Sequence, residues 1–530
     1  MKTPLLSLIL FLCSLTGFSQ EPVEVMVLMK DQYNRTELCR KAEFIPTKTA
    51  RRDYVVKELK NFAEASQYDL MLTLNELELQ GLVTKVHSLW SANALYFTAA
   101  EEVIQTLAER HDIESISPVK QYQWIPEEEP TIVTDAVREI TSNIIQVNAD
   151  QVWAQGNTGQ GVVIAVVDSG VNYNHLDLAD HLWDGGEAFP HHGYDIVNDD
   201  DDPMDDKGHG THCAGTVCGN GTAGSLTGIA PDAILMCIKS IREDGFGGAV
   251  NIAGGMEWAV EHGCDAISMS LGMVNAEVTD KELLRRTCEA LLDAGVLALV
   301  CAGNEGHIQF YSPIPNNVRV PASCPPPYLD PDQLANPGGL SCVMAIGAVD
   351  DNDEAAHFTS QGPVTWQDNE FGDYRYDPGI GLIRPDVCAP GVNIKSLDYN
   401  NINGYTELSG TSQATPCVAG IVALMLSKNP ELTPAQICQI LEETSVKLTP
   451  TKSNITGVGR VDALAAVNAV SVWGVKEESF IVTPDILDGS IQRVLDLTGR
   501  VVNPDKLSPG VYLIQYLQDN RLKTKKVIIP

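Results

Sequence analysis

Three short motifs place an aspartate, a histidine and a serine in a fixed order along the chain. Asp168 lies in Val-Val-Asp-Ser-Gly, His209 in Gly-His-Gly-Thr-His-Cys-Ala-Gly-Thr, and Ser412 in Gly-Thr-Ser-Gln-Ala-Thr-Pro. A serine hydroxyl is a poor nucleophile until a base takes its proton, and a histidine oriented by a carboxylate is such a base. Each motif alone is typical of a helix cap or a core histidine. The ordered set indicates acyl transfer with Ser412 as nucleophile, His209 as base and Asp168 as orienting group.

The surroundings of the three residues fit this chemistry. Asp168 ends an apolar stretch that reads as a strand, and strand ends in open α/β sheets present ligand-binding groups. Small residues flank His209, which lets a substrate approach. Ser412 opens a predicted helix, and a helix N-terminus offers partial positive charge and unpaired N–H groups to a developing oxyanion.

The motifs and the chain order Asp, His, Ser resemble those of the subtilases, the subtilisin-like serine peptidases. The resemblance covers about residues 135–470. It implies an endopeptidase that hydrolyses polypeptides and needs no cofactor for its chemistry. It also assigns the catalytic role to His209 and makes His212 a bystander.

A fourth motif, Cys-Ala-Gly-Asn-Glu-Gly, follows another apolar strand and contains Asn304. The resemblance implies that Asn304 donates its side-chain amide to the oxyanion, helped by the N–H of Ser412. It further implies two stretches that pair with an extended substrate as added strands, with Phe246 and Leu271 lining apolar subsites. The residues of these stretches are Gly245, Phe246, Gly247, Ser270, Leu271 and Gly272.

The chain departs from the family pattern near the nucleophile. Gln413 follows the serine where the family commonly has methionine, and Cys417 stands where histidine is common. Neither position belongs to the Asp-His-Ser set, so packing beneath the helix is expected to differ while activity is retained. Cys213, beside the catalytic loop, is seen in some subtilases and would confer sensitivity to thiol reagents.

Two other classes of function compete with the peptidase hypothesis. A catalytically silent subtilase fold would act as a binding or structural protein, against which the complete Asp-His-Ser set and Asn304 argue. A lipase or esterase on an α/β-hydrolase fold would need Gly-x-Ser-x-Gly and the order Ser, Asp, His. Here the serine comes last.

The composition is that of an acidic globular chain. Its 530 residues carry 36 basic and 70 acidic side chains, a net charge of −34, which makes nucleic acid an unfavourable partner. The run from Asp199 to Asp206 gathers carboxylates in one predicted loop. Carboxylate oxygens are ligands that calcium prefers, so a structural calcium is one hypothesis and a solvated acidic loop is the other.

The pattern of hydrophobic residues predicts four segments. Residues 1–19 read as a secretory signal peptide, with Lys2 before a short apolar run, and no stretch is long enough to span a membrane. Residues 20–125 show a β-α-β pattern that resembles the inhibitory propeptide of the family, and the linker Pro126 to Pro130 is a plausible maturation region. Residues 135–470 form the peptidase domain, and 471–530 a C-terminal β domain. The protein is expected to be secreted or held at the cell surface.

Within residues 135–470, short apolar runs alternate with helical stretches. The predicted strands and helices are Val162–Val167, Ala233–Ile238, Ala266–Met269, Val296–Cys301, Val343–Ala348, Val250–His262, Thr279–Ala294 and Gln413–Ser427. Such alternation predicts an α/β fold with a doubly wound, mostly parallel sheet. It agrees with the fold that the resemblance implies.

The C-terminal residues 471–530 change character. Asp496–Arg500, Leu507–Ile514 and Lys523–Ile529 read as hairpin strands of a β-sandwich-like domain. They resemble the sorting domain of type IX secretion substrates of the Bacteroidota, which implies secretion machinery as a partner. A generic β appendage is the alternative.

Thirteen cysteines complete the inventory. Eleven of them lie scattered in the peptidase region, an odd number without paired spacing, so most are expected to be buried free thiols, with room for one or two disulfides.

Overall fold

A computed structural model of the chain describes residues 21–42, 45–127, 130–133, 139–325, 342–366, 381–473, 491–496, 501–502, 510–518 and 521–529. The predicted signal peptide, residues 1–19, lies outside the described residues. The chain divides into two compact units, residues 1–467 and 468–530. Among the described helices, none combines the length and apolar character that a membrane crossing requires.

The N-terminal part of the first unit is a small α/β layer. Its elements are β1 (Val23–Met29), α1 (Arg35–Ala42), α2 (Lys48–Leu79), β2 (Val83–Leu89), β3 (Ala94–Ala99), α3 (Glu101–Ala108) and β4 (Ile113–Pro118). The strands pair antiparallel in the order β2-β3-β1-β4. Thr47 caps α2, because its side chain accepts a hydrogen bond from the N–H of Ala50. Buried residues of α2 such as Val55, Leu70 and Leu74 pack this helix against the core.

The rest of the first unit carries the remaining helices and most strands. Its helices are α4 (Ser142–Gln146), α5 (Ala149–Trp153), α6 (His209–Cys218), α7 (Ala249–Glu261), α8 (Val278–Asp293), α9 (Thr411–Lys428), α10 (Pro434–Thr444) and α11 (Ala463–Trp473), the last of which runs across the boundary at residue 467. Its strands are β5 (Tyr122–Gln123), β6 (Thr131–Ile132), β7 (Val163–Asp168), β8 (Gly193–Asp195), β9 (Ile234–Lys239), β10 (Phe246–Gly247), β11 (Ala266–Met269), β12 (Leu297–Cys301), β13 (Val343–Val349), β14 (Val387–Pro390), β15 (Ile394–Leu397), β16 (Tyr405–Leu408), β17 (Val446–Lys447) and β18 (Gly459–Arg460).

A nine-stranded sheet forms the centre of this unit, in the order β17-β18-β14-β13-β12-β11-β7-β9-β8. All its neighbouring pairs are parallel except β17 with β18. Strands β11, β12 and β13 are buried along their whole length, as expected for a parallel sheet covered on both faces by helices. The predicted mostly parallel α/β sheet is thus confirmed.

The sheet brings the predicted site residues to one edge. Strands β12, β11 and β7 are neighbours, and their carboxyl ends lead to Asn304, Ser270 and Asp168 respectively. Because parallel strands end on the same side of the sheet, short loops are enough to bring these three residues together.

The second unit contains β19 (Ile491–Asp496), β20 (Val501–Val502), β21 (Gly510–Gln518) and β22 (Arg521–Ile529). They pair antiparallel in one sheet, in the order β20-β19-β21-β22. Two of the three predicted hairpin strands, Leu507–Ile514 and Lys523–Ile529, overlap β21 and β22, while most of the third, Asp496–Arg500, lies outside the described residues. The second sheet that a sandwich requires is not among the strands described here, so the sandwich stays a prediction.

Candidate active site

Asp168 and His209 meet at the edge of the sheet. Asp168 is the last residue of β7 and His209 the first residue of α6. The Asp168 Oδ1 atom lies 2.7 Å from His209 Nδ1 and also accepts a hydrogen bond of 2.8 Å from the N–H of Ser169. Both side chains are buried, at 0% and 4% exposed. The carboxylate therefore holds one ring nitrogen and leaves Nε2 as the nitrogen that can accept a proton.

Glycine at position 210 permits this approach. A Cβ atom on Gly210 would lie 2.0 Å from the carbonyl oxygen of Gly170 and 3.1 Å from the Cβ of Asp168. Any side chain there would push α6 away from the end of β7. The Gly-His-Gly spacing thus follows from the close contact between this helix and the aspartate loop.

The two histidines of α6 differ in their electrostatic environment. Burial lowers the pKa of His209, but the adjacent Asp168 carboxylate and Cys213 together outweigh burial and raise it well above 6.5. Burial lowers the pKa of His212 to about 3, so this ring is neutral. Its Nε2 atom lies 3.0 Å from the carbonyl oxygen of Ile394. Of the two rings, the one that faces Asp168 is His209.

Ser412 is the second residue of α9, whose first turn begins after Gly410. The Ser412 Oγ atom donates to the Ser270 carbonyl oxygen at 3.1 Å, while the Ser270 hydroxyl donates to the Ser412 carbonyl oxygen at 2.6 Å. The Cys213 sulfur lies 3.6 Å from the Ser412 carbonyl oxygen and 3.9 Å from His209 Nδ1. Cys213 thus contacts both the serine and the histidine. Among the described residues, His209 Nε2 is buried without a hydrogen-bond partner.

Asn304 is oriented by the residue that precedes the serine. Its Oδ1 atom accepts hydrogen bonds of 3.0 Å from both the N–H and the hydroxyl of Thr411. Since Oδ1 is fixed as the acceptor, the Nδ2 group is left to donate. It lies 3.1 Å from where a Cβ of Gly410 would be, at the N-terminus of α9. Asn304 Nδ2 and the first N–H groups of α9 therefore gather at one place.

The predicted substrate-binding stretches contact a segment of the chain itself. Strand β5 pairs antiparallel with β10, with Phe246 opposite Gln123 and Gly247 opposite Tyr122. The N–H of Trp124 donates to the Gly245 carbonyl oxygen at 3.0 Å. The segment 122–125 thus adds a strand to β10, in the manner predicted for a peptide substrate.

The second stretch, Ser270 to Gly272, lies on the other side of this segment. The N–H of Gly272 donates to the Trp124 carbonyl oxygen at 3.4 Å, and Leu271 belongs to the same buried apolar cluster as Trp124 and Ile125. Ile125 and Pro126 line a cavity together with His209. The segment therefore runs between the two stretches towards the histidine.

Sequence reasoning missed two residues of this cleft, Arg319 and Trp124. The Arg319 guanidinium donates to the carbonyl oxygens of Trp124 and Gly272, both at 3.1 Å. Neither residue stands in a motif, and each becomes visible only once the fold brings distant segments together. The one available signal was an arginine in the otherwise apolar run Val318 to Ala322.

The carboxylates of the acidic loop face separate protein donors. Asp199 accepts from the Tyr194 hydroxyl at 2.8 Å, and Asp202 from the Tyr173 hydroxyl at 2.9 Å. Asp205 accepts from Thr211 and from the N–H groups of 207 and 208, which ties the loop to the start of α6. Asp206 pairs with the buried Lys239. Protein donors and Lys239 thus offset part of the negative charge of this loop, as a calcium ion would. Calcium binding stays a prediction.

The cysteines of the described residues are all free thiols. They comprise Cys39 and eleven buried residues of the peptidase region. Burial raises the pKa of Cys301 to about 11 and that of Cys417 to about 12. These thiols therefore act as small apolar side chains, as predicted from their scattered spacing.

Gln413, the residue after the serine, is a buried amide without visible partners. It is 0% exposed, and within the described part of the chain neither Oε1 nor Nε2 has a hydrogen-bond partner. We expect Gln413→Met to raise the free energy of unfolding by about 1–3 kcal/mol, because an unsatisfied buried amide is removed. Urea denaturation in a Ser412→Ala background, which prevents self-digestion, measures this.

Gln67 provides the matched control for Gln413. It is also a buried amide, but its Nε2 donates to Asn93 at 2.9 Å and its Oε1 accepts from Ser88 at 2.6 Å. Gln67→Met should therefore lower the free energy of unfolding. If Gln413→Met were as destabilising as Gln67→Met, the amide would have to be satisfied by ordered water.

Comparison with known proteins places this site in a family context. Residues 159–459 match the model of the subtilase family. The chain is 34% identical to serine protease AprX of Bacillus subtilis, over 58% of this chain and 66% of that protein. It is 28% identical to bacillopeptidase F of the same organism, over 80% of this chain and 29% of that protein. It is 32% identical to subtilisin DY of Bacillus licheniformis, over 57% of this chain and 90% of that protein.

The chain covers different shares of the length of these relatives. The chain spans less than two thirds of AprX and of bacillopeptidase F, and most of subtilisin DY. The family match includes every predicted site residue, from Asp168 to Ser412. It does not extend to residues 20–125 or to 471–530.

Proposed function

The chain belongs to the subtilase family of serine endopeptidases, and on that premise we propose that it hydrolyses polypeptides through Asp168, His209 and Ser412. The observation that carries this proposal is the buried Asp168–His209 contact of 2.7 Å, with Cys213 in contact with both His209 and Ser412. Cleavage of casein or of a quenched peptide by the purified protein, lost in Ser412→Ala, is the test.

The proposed mechanism assigns a role to each of these residues. The Ser412 hydroxyl turns from the Ser270 carbonyl oxygen to His209 Nε2, gives up its proton and attacks the substrate carbonyl carbon. Asp168 stabilises the imidazolium that forms. The Asn304 Nδ2 group and the Ser412 N–H donate to the oxyanion. The histidine then protonates the leaving amine, and a water molecule activated by the same ring releases the acyl group.

The competing hypothesis is a silent fold that only binds peptides. It predicts binding without turnover and no labelling by a fluorophosphonate, which reacts with an activated serine. The buried His209 Nε2 atom favours the enzyme, because it has no hydrogen-bond partner among the described residues and so can accept a proton.

We further propose that residues 20–125 are an inhibitory propeptide. The segment 122–125 lies in the cleft as a substrate strand, and the layer before it contacts α7 and α8 through complementary charges. Arg35 lies 2.7 Å from Asp293, and Lys60 lies 2.9 Å from Glu261. Cleavage of the linker after residue 125, followed by loss of this layer, would open the cleft.

The pH dependence of hydrolysis follows from the environment of His209. The base must be neutral to accept the serine proton, and the Asp168 carboxylate holds its pKa above 6.5. We therefore expect kcat/KM to rise with pH through a step above 6.5, where sequence reasoning alone places it at about 6.5 to 7. Rates from about pH 5 to 9 measure it.

A matched variant locates the cause of this step. In Asp168→Asn the carboxylate is gone, so the residual activity should rise at a lower pH than in the unaltered protein. A rate that does not change between about pH 5 and 8 would contradict His209 as the base.

Export is the remaining part of the proposal. We propose that residues 1–19 direct secretion and that 471–530 form a sorting domain for a type IX machinery. A chain that ends at Val470 is expected to hydrolyse peptides normally, because all proposed catalytic residues precede it, yet to accumulate in the periplasm of a Bacteroidota host. Activity in periplasm and medium is the measurement.

Two results would contradict the export proposal. If the truncated chain reached the medium as efficiently as the full chain, 471–530 would not be a sorting domain. If it stayed folded but lost activity, these residues would belong to the catalytic unit.

A further inference from the structure

A buried ion pair, Arg319 with Glu305, lies beside the proposed oxyanion donor. Glu305 directly follows Asn304 in the chain, and Glu305 and Arg319 are 6% and 9% exposed. Arg319 Nη2 lies 2.6 Å from Glu305 Oε1, and Arg319 Nε lies 3.0 Å from both carboxylate oxygens. The Ser360 hydroxyl donates to Glu305 Oε2 at 3.0 Å. The carboxylate thus fixes one side of the guanidinium.

The stem of Arg319 fills the space between the substrate stretch and the Asn304 loop. A Cβ on Gly272 would lie 2.7 Å from the Arg319 Cβ, and a Cβ on Gly303 would lie 2.8 Å from the Arg319 Cγ. The Arg319 N–H also donates to the Ala302 carbonyl oxygen at 2.9 Å. Glycine at both positions is what admits so large a side chain here.

The Nη1 group of the guanidinium faces main-chain carbonyl oxygens. Arg319 Nη1 donates to the Gly272 carbonyl oxygen and to the Trp124 carbonyl oxygen, both at 3.1 Å. Trp124 belongs to the segment that occupies the cleft, and its indole N–H donates to the Gly247 carbonyl oxygen at 2.8 Å. Of these two carbonyl oxygens, that of Gly272 therefore belongs to the cleft and that of Trp124 to the segment bound in it.

A purely structural role explains only part of this arrangement. A buried ion pair contributes little net stability compared with an apolar pair of the same volume, and the hydrogen bonds to Glu305 come from Nε and Nη2. The Nη1 group reaches across to the bound strand, where it reinforces a Gly272 N–H contact of 3.4 Å to the same oxygen. A charged donor to a carbonyl oxygen makes a stronger hydrogen bond than a neutral N–H does.

We propose that Arg319 is a substrate-binding residue of the peptidase. Held by Glu305, it donates to the main-chain carbonyl oxygen of the extended polypeptide residue that takes the place of Trp124. This proposal rests on the proposed function, since it treats segment 122–125 as a stand-in for substrate. Ile125 and Pro126, which follow Trp124, line a cavity together with His209. The bond that is cut therefore lies on the carboxyl side of the substrate residue that takes the place of Trp124.

The test combines an enzyme variant with a change in the substrate. Arg319→Lys keeps the charge next to Glu305 but loses the planar fork that reaches two acceptors. With a quenched peptide that copies residues 120–131, we expect kcat/KM to fall roughly 10- to 100-fold, mainly through KM, because the contact lies away from the reacting carbonyl. A second peptide replaces the tryptophan carbonyl by a thioamide, a weaker acceptor. The factor by which this thioamide lowers kcat/KM should be about threefold larger for the unaltered enzyme than for Arg319→Lys.

Controls separate binding from folding. Arg384→Lys alters a comparable buried pair, in which Arg384 Nη1 lies 2.8 Å from Asp386, and it should leave KM unchanged. If Arg319→Lys did not fold, the comparison would move to the unaltered enzyme. In the unaltered enzyme, a thioamide at the tryptophan carbonyl should lower kcat/KM more than a thioamide at the position of Gln121, which is exposed.

Three results would overturn the proposal: an unchanged KM in Arg319→Lys, an equal thioamide cost in both enzymes, or an Arg384→Lys effect as large as that of Arg319→Lys. Failure of the proposed function would look different. In that case the unaltered protein would neither cut the peptide nor react with a fluorophosphonate at Ser412.

Discussion

Replacing Ser412 with alanine is expected to lower peptide hydrolysis about a millionfold, the scale on which an Asp-His-Ser set acts as a unit. Without the hydroxyl there is no nucleophile, and His209 has no proton to take. If maturation is self-cleavage, the same variant will stay at full length. The initial rate on a quenched peptide and the mass of the purified chain measure both effects.

Ser427→Ala is the matched control for this variant. Ser427 lies near the other end of the same helix, α9, and donates to the Gln160 carbonyl oxygen at 2.9 Å. It should mature and hydrolyse peptides at the unaltered rate. A Ser412→Ala chain that still matured when purified alone would contradict self-processing, and one that kept its hydrolytic rate would contradict the nucleophile.

Replacing Asp168 with asparagine is expected to lower kcat about ten-thousandfold while the fold is retained. The amide is almost isosteric and can still accept the N–H of Ser169. As a neutral group it cannot stabilise the imidazolium as the carboxylate does. The rate loss and an unchanged unfolding midpoint are the measurements.

Asp202→Asn tests whether any change in the acidic loop would have the same effect. Asp202 accepts from the Tyr173 hydroxyl and does not contact His209 among the described residues. This variant should keep its activity. A loss of less than about tenfold in Asp168→Asn would mean that the short contact to His209 does not serve catalysis.

The sequence predicts the peptidase fold well because its signals are local. The five predicted strands of the sheet all exist within one or two residues of their predicted bounds, for example Ala266–Met269. Continuous apolar runs between helical stretches are typical of a parallel sheet that is buried on both faces. The motifs then mark strand ends, so Asp168 and Asn304 could be placed at one edge of the sheet.

Elements with mixed burial were harder to predict. Strand β2 was missed because its pattern is buried only at its two ends, Val83 and Leu89. Helix α2 runs from Lys48 to Leu79, and its later turns carry many polar residues, so its full length does not show in the apolar pattern. The short strands β17 and β18 have too few residues to show any periodicity.

Long-range contacts could not be predicted from the motifs at all. That segment 122–125 would pair with β10 depends on the N-terminal layer docking against α7 and α8, which no local pattern specifies. The Arg319–Glu305 pair joins residues 14 positions apart through the fold, not through a helix face. Such residues appear only when the strands that carry them are assembled.

The most direct test of Ser412 as the activated nucleophile is the site of fluorophosphonate labelling. The protein is expressed as the full chain, allowed to mature, treated with the probe and digested for mass spectrometry. We predict one adduct, on Ser412, that is lost in Ser412→Ala and formed far more slowly in Asp168→Asn. A mature, folded protein that cuts peptides without an adduct on Ser412, or that carries its adduct on another serine, would contradict it.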